Sequence, residues 1–124
     1  MKFLKCPHCG NIAVLFEDSG VTPVCCGEKM VELTPGSVDA ALEKHVPVVS
    51  VDGDKVTVTV GSVEHPMLEA HHIAWIVLET ENGFMKAELD PVGKPCAEFA
   101  LAAAKPVAAY EYCNLHGLWK ADIA

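Results

Sequence analysis

Cys113 and His116 stand three residues apart in the stretch EYCNLHGLWK, with a glycine next. A thiol and an imidazole at that spacing are either two incidental loop residues or half of a metal site. The other cysteines and histidines decide between these. Cys6 and Cys9 form a C-x2-C pair in CPHCG, a spacing that lets two thiolates grip one metal from a tight turn. The glycine that follows eases the positive φ such turns need. Cys25 and Cys26 come next, in CCGEKM. Four thiolates make a tetrahedral site of the zinc or iron type. Neighbouring side chains on an extended strand face opposite ways, so Cys25 and Cys26 share a metal only if the backbone turns there. A distorted tetrahedron is therefore expected. That favours iron; a structural zinc staple is the other reading.

The remaining candidates are His45, His65, His71, His72, Cys113 and His116. His45 is expected to open a strand in EKHVPVV, and Pro66 biases His65 toward extended backbone. His71 and His72 are adjacent at the start of a strand, so only one of them points into a shared site. Cys113 and His116 bracket a loop between strands. A Cys–His loop on a β-sandwich also describes blue copper sites, but those add a weak axial ligand, usually methionine. No methionine follows His116, and the histidines are too many. Four neutral imidazoles with one thiolate suit a five-coordinate iron whose sixth position is open.

These residues need elements to hold them. The chain has 124 residues, half of them apolar, and a net charge of −8 with nine lysines and no arginine. Arginine is the residue of phosphate and guanine contacts, so nucleic-acid binding is not expected. No run of about 18 apolar residues is present, so no membrane span is expected. The opening MKFLKCPHCG does not read as a signal peptide, which points to the cytoplasm and argues against a disulfide framework. Pro35 and Gly36 mark a division into residues 1–36 and 37–124. The first part is too short for a sufficient core and needs a staple. Its fragments IAVLFE and TPVCCGEKMVEL read as short strands around turns. In the second part VPVVSV and KVTVTVG flank DGD, and HHIAWIVLET and FMKAEL flank ENG, as two hairpins. AEFALAA, PVAAYEYC and LWKADIA bring the total to about seven strands, a β-sandwich, with one helical turn allowed in SVDAALEKH.

Taken together, CPHCG…CCGEKM, EKHVPVV, HPMLEAHHI and YCNLHGLW resemble the two-iron superoxide reductases called desulfoferrodoxins over nearly the whole chain. The resemblance implies a small desulforedoxin-like iron module, 1–36, followed by an immunoglobulin-like seven-stranded catalytic sandwich, 37–124. It implies one iron on Cys6, Cys9, Cys25 and Cys26, and a second on His45, His65, His71, His116 and Cys113. Glu43 and Lys44 match the family's glutamate and lysine beside the first histidine, as active-site residues. The implied reaction is one-electron reduction of superoxide to hydrogen peroxide without oxygen release. Re-reduction by a small donor such as a rubredoxin, and a homodimer, are also implied. A non-catalytic iron electron carrier is the alternative. His72, where many relatives carry an aromatic residue, His8 and Cys96 have no ligand role in this reading.

Overall fold

Runs such as KVTVTV place β-branched side chains alternately on two faces, the pattern of a pleated strand with one face in a core. The computed structural model describes residues 1–124 and is built almost entirely of such strands. It divides into two compact units, Met1–Thr34 and Pro35–Ala124.

The first unit holds β1 (Phe3–Lys5), β2 (Ile12–Val14), β3 (Val24–Cys25), β4 (Glu28–Lys29) and β5 (Val31–Glu32). Its sheet runs β2-β1-β5, all antiparallel, and β3-β4 form a separate two-residue ladder. The core is Leu4, Cys6 and Met30, with Leu15 and Cys25 packed on it. So small a core does not offset the ordering entropy of the unit, and the four cysteines lie where a metal would make up the difference.

The second unit holds one helical turn, α1 (Leu42–His45), and seven strands: β6 (Pro47–Asp52), β7 (Lys55–Val60), β8 (Ile73–Thr80), β9 (Gly83–Glu88), β10 (Cys96–Ala100), β11 (Pro106–Cys113) and β12 (Gly117–Asp122). They form a three-stranded sheet, β10-β7-β6, and a four-stranded sheet, β12-β11-β8-β9. The seven-stranded sandwich expected from the turn spacing is thus present. Both expected hairpins are there, β6–β7 and β8–β9. The segment from β10 to β11 is no hairpin: it carries the chain from one sheet to the other. Ala102 and Ala103 take positive φ values of 50° and 67° in that crossing. Their amides donate to the Asp54 carboxylate at 3.2 and 3.0 Å, which holds the strained turn.

Val56, Val58 and Val60 of β7, Ile76 and Leu78 of β8, and Phe99 of β10 fill the space between the sheets. Each fully buried aliphatic side chain there contributes about 1.5–3 kcal/mol of transfer free energy. Cys113 belongs to the same core cluster, so the core presents its thiol from a rigid strand end.

One expectation needs correction. His45 does not open a strand; it ends α1, and β6 begins at Pro47. The turn closes through the Val46 amide on the Leu42 carbonyl at 2.9 Å. Pro47, without an N–H and with fixed φ, stops the helix there.

Candidate metal centres

Four segments bring their side chains to one end of the sandwich. α1 supplies His45, the loop after β7 supplies His65, the loop before β8 supplies His71, and the β11–β12 hairpin supplies Cys113 and His116. In that hairpin Cys113 pairs with Gly117 across a three-residue loop. Gly117 sits at φ 77°, the left-handed position that such loops demand. His71 and His72 part as adjacent residues must: His71 joins the group, and His72 folds back so that Nδ1 donates to the Leu68 carbonyl at 2.9 Å.

One potential ligand atom from each of the five residues lies within 4.8 Å of all the others. His45 Nε2 is 3.0 Å from His116 Nδ1 and 3.2 Å from His65 Nε2. Adjacent ligands of a square plane with bonds of about 2.1 Å stand about 3 Å apart, so the spacing fits a metal. Cys113 Sγ lies 3.5 Å from His65 Nε2 and 3.8 Å from His116 Nδ1.

The tautomers fit as well. His45 Nδ1 donates to the Ala41 carbonyl and His65 Nδ1 to the Pro66 carbonyl, each at 2.7 Å. Both protons are therefore on Nδ1, and the two Nε2 lone pairs face each other. Lone pairs in such contact repel unless a cation lies among them. His71 Nε2 is buried with no hydrogen-bond partner, the mark of an atom reserved for something else. Burial pushes the His65 imidazole down to about 4 and also lowers His45 and His71, so these rings are neutral at pH 7, the ligating form. Burial raises the Cys113 thiol, while the Leu115 and His116 amides pull it down. A bound cation ionises such a thiol outright.

A cavity of about 380 Å³ opens over the group, walled by Ala40, Ala41, Lys44, Pro66 and the four imidazoles. Lys44 thus stands at the approach. Glu43 precedes it on α1 but is exposed and does not line the cavity; its backbone carbonyl is bonded by the Val63 amide at 2.8 Å and the Ser62 hydroxyl at 3.3 Å.

Cys6, Cys9, Cys25 and Cys26 form a second group in the first unit, again with ligand atoms within 4.8 Å of one another. Cys9 and Cys25 sulfurs are 3.7 Å apart, and Cys25 and Cys26 sulfurs 4.0 Å. A tetrahedron with bonds of about 2.3 Å sets its sulfurs about 3.8 Å apart. The backbone does turn at the adjacent pair: Cys26 has φ 54° and Gly27 φ 77°. The amides of Cys9 and His8 both donate to Cys6 Sγ at 3.4 Å and pull that thiol down to about 6, favouring a thiolate. His8 lies outside the group and pairs with Glu28 at 2.8 Å. Cys96 is half-buried on β10 against the Thr59 hydroxyl and belongs to neither group.

Three supporting residues had no role in the sequence reading. Trp119 stacks on His45, centroids 5.0 Å apart, and its indole donates to the His116 carbonyl at 3.0 Å. Glu111, two residues before Cys113 on β11, is fully buried with both carboxyl oxygens unpartnered. Burial pushes it up to about 9, so it is protonated at pH 7. Asn114 bonds the segment that bears His71. The strand alternation that places Glu111 on the Cys113 face was available in PVAAYEYC; nothing in sequence marked the other two.

A mononuclear group of four imidazoles and one thiolate on a β-sandwich, with a four-thiolate group on a small module, defines a class of metalloprotein with two separate metal centres. The desulfoferrodoxin family model matches residues 37–122. A desulfoferrodoxin from Nitratidesulfovibrio vulgaris is 50% identical over 118 residues, 95% of this chain and 93% of that one. A superoxide reductase from Thermococcus kodakarensis is 39% identical, covering 76% of this chain and 97% of its own. The crystal structure of the superoxide reductase from Treponema pallidum superposes with a TM-score of 0.81 at 42% identity, covering 96% of this chain and 98% of that one. The chain belongs to the desulfoferrodoxin family.

Proposed function

We propose that this chain reduces superoxide to hydrogen peroxide, with His45, His65, His71, His116 and Cys113 holding the reactive iron. The observation that carries this reading is the convergence of four imidazole nitrogens and one thiol sulfur beneath an open cavity. An iron ion held by His45, His65, His71, His116 and Cys113 would supply the one electron that the reaction needs. Superoxide takes that electron and two protons from solvent to give hydrogen peroxide. Cys113 contributes the thiolate charge that raises electron density at the centre. The Ala41 and Pro66 carbonyls fix the ring orientations of His45 and His65. Lys44 offsets the repulsion that a chain of charge −8 exerts on an anionic substrate. Glu43 is proposed as a carboxylate for the oxidised iron, which would prefer a hard oxygen donor; its side chain, exposed outside the cavity, would have to turn inward to serve.

Residues 1–36 form the module whose Cys6, Cys9, Cys25 and Cys26 would hold the second iron, as relay or staple; 37–124 is the catalytic domain. Re-reduction comes from a small electron-donor protein of the rubredoxin kind, in the cytoplasm, and the working form is a homodimer. No helix is long and apolar enough to cross a membrane.

The test is rapid mixing of the reduced protein with superoxide, with an oxygen electrode alongside. Fast oxidation near the diffusion limit, with peroxide formed and no oxygen released, is expected. Oxygen release would indicate a dismutase. Superoxide decaying at its uncatalysed rate would leave a non-catalytic electron carrier.

A further inference from the structure

The loop that bears His71 is closed on itself. The Leu68 amide donates to the His71 carbonyl at 2.9 Å and the His71 amide to the Leu68 carbonyl at 3.1 Å. The His72 ring braces the same turn from outside, with Nδ1 against the Leu68 and Glu69 carbonyls at 2.9 and 3.1 Å. Such a turn moves as one piece. Where His71 stands then depends on what the piece is fastened to.

Asn114 is that fastening. Its side-chain Oδ1 accepts from the His72 amide at 2.9 Å, its Nδ2 donates to the Ala70 carbonyl at 3.0 Å, and its own amide donates to the His72 carbonyl at 3.1 Å. These three bonds grip the backbone immediately before and after His71. Asn114 is itself the residue next to Cys113, in the hairpin loop that also carries His116. The His71 and His116 ring centroids are 5.0 Å apart across this junction. Three bonds from one residue fix only that residue's freedom, so they resist competition from water better than three separate surface bonds.

We propose that Asn114 is a positioning residue for the sandwich centre: it latches the self-closed His71 turn to the hairpin loop of Cys113 and His116, and so sets the fourth imidazole against the other ligands. This rests on the metal reading of the five-residue group. An amide is required because the latch needs an acceptor and a donor on two separate atoms of one short side chain: aspartate lacks the donor, alanine lacks both, and serine has both on a single oxygen.

A double-mutant cycle tests it. Metal-free full-length protein is titrated with Co²⁺, reading the thiolate-to-cobalt absorption that Cys113→Ser removes, which isolates the sandwich centre from the four-cysteine one. Asn114→Ala should weaken Co²⁺ binding by about ten-fold or more in the otherwise wild-type chain. In a His71→Ala background the same change should cost less than two-fold, because the latch then has no imidazole to place. The same loss in both backgrounds, or no loss in either, overturns the proposal. Asn114→Asp keeps the acceptor for the His72 amide and loses the donor for the Ala70 carbonyl. It replaces alanine in the cycle if the alanine chain does not fold. A wild-type chain without any Cys113-dependent cobalt band would instead overturn the metal reading itself.

Discussion

At the scale of the residue, the protonation of the site is decided outside it. Two backbone carbonyls hold the Nδ1 protons of His45 and His65, which leaves the inner nitrogens free as donors to a metal. Cys113 is the sole soft donor of the group, so Cys113→Ser should remove the sandwich centre's share of the thiolate-to-iron absorption, leaving that of the four-cysteine centre, and abolish nearly all superoxide reduction. An unchanged absorption would assign the thiolate elsewhere, Cys96 being the residue to examine. Glu111 gives a pH prediction whose sign follows from burial. Its folded value, about 9, is above the unfolded carboxylate's 4.5, so the folded state keeps a proton that the unfolded state releases. Stability is fully present below about pH 4.5 and falls as pH rises toward 9, by up to about 1.4 kcal/mol per pH unit. Glu111→Gln should flatten that decline between pH 5 and 9, measured as urea midpoints. A glutamine variant with the wild-type slope would place the titration on another group.

At the scale of the element, the seven strands of the sandwich could be read from alternation and turn residues, because packing between two sheets enforces a period of two. The sandwich ligand set could not be read from spacing, because residues 45 to 116 meet only in the fold; the resemblance to desulfoferrodoxins implied it, and the structure gathers those five residues. β1 carries no strand signal of its own: FLK is three residues long, and only its pairing with Ile12–Val14 and Val31–Glu32 makes it a strand. The place of His45 is not legible in the sequence because the single turn Leu42–His45 has no amphipathic period, and its position is set by a later loop. That loop contains Gly61. A Cβ added there would lie 2.6 Å from the Glu43 carbonyl oxygen and 2.9 Å from the Lys44 carbonyl carbon, both backbone atoms that cannot swing aside. Gly61→Ala should therefore push α1 outward, costing about 1–3 kcal/mol in stability and lowering the superoxide rate through Lys44 and His45. Thermal melts and rapid mixing check both; an alanine variant with wild-type melting and rate would mean that α1 is freer than its packing indicates.

At the scale of the whole molecule, each ligand set lies wholly within one compact unit. Cys26→Ser should thus remove or perturb the four-thiolate iron and leave superoxide reduction in place, read from iron per chain and rate; loss of both irons would contradict independent sites. The net charge of −8 opposes every superoxide that approaches, and Lys44 lies where local charge matters most. Lys44→Ala should slow the bimolecular step about ten-fold, roughly 1.4 kcal/mol, and lose the fall of rate with ionic strength that is expected of the wild type. Lys44→Arg should keep most of the rate. An alanine variant with the wild-type rate and salt slope would make Lys44 a bystander.

The five sandwich ligands come from four separate stretches of chain, and that scatter ties folding to supply. An ion that binds only the assembled end of the sandwich stabilises it by mass action, adding about 1.4 kcal/mol for each decade of free metal above the dissociation constant. The melting temperature of Pro35–Ala124 should then climb by several degrees per decade of free ferrous ion, with no plateau in the accessible range. Proteases should cut the loops around His65 and His71 first when the metal is scarce. The lifetime of this protein in a cell would thereby track the iron available to fill it.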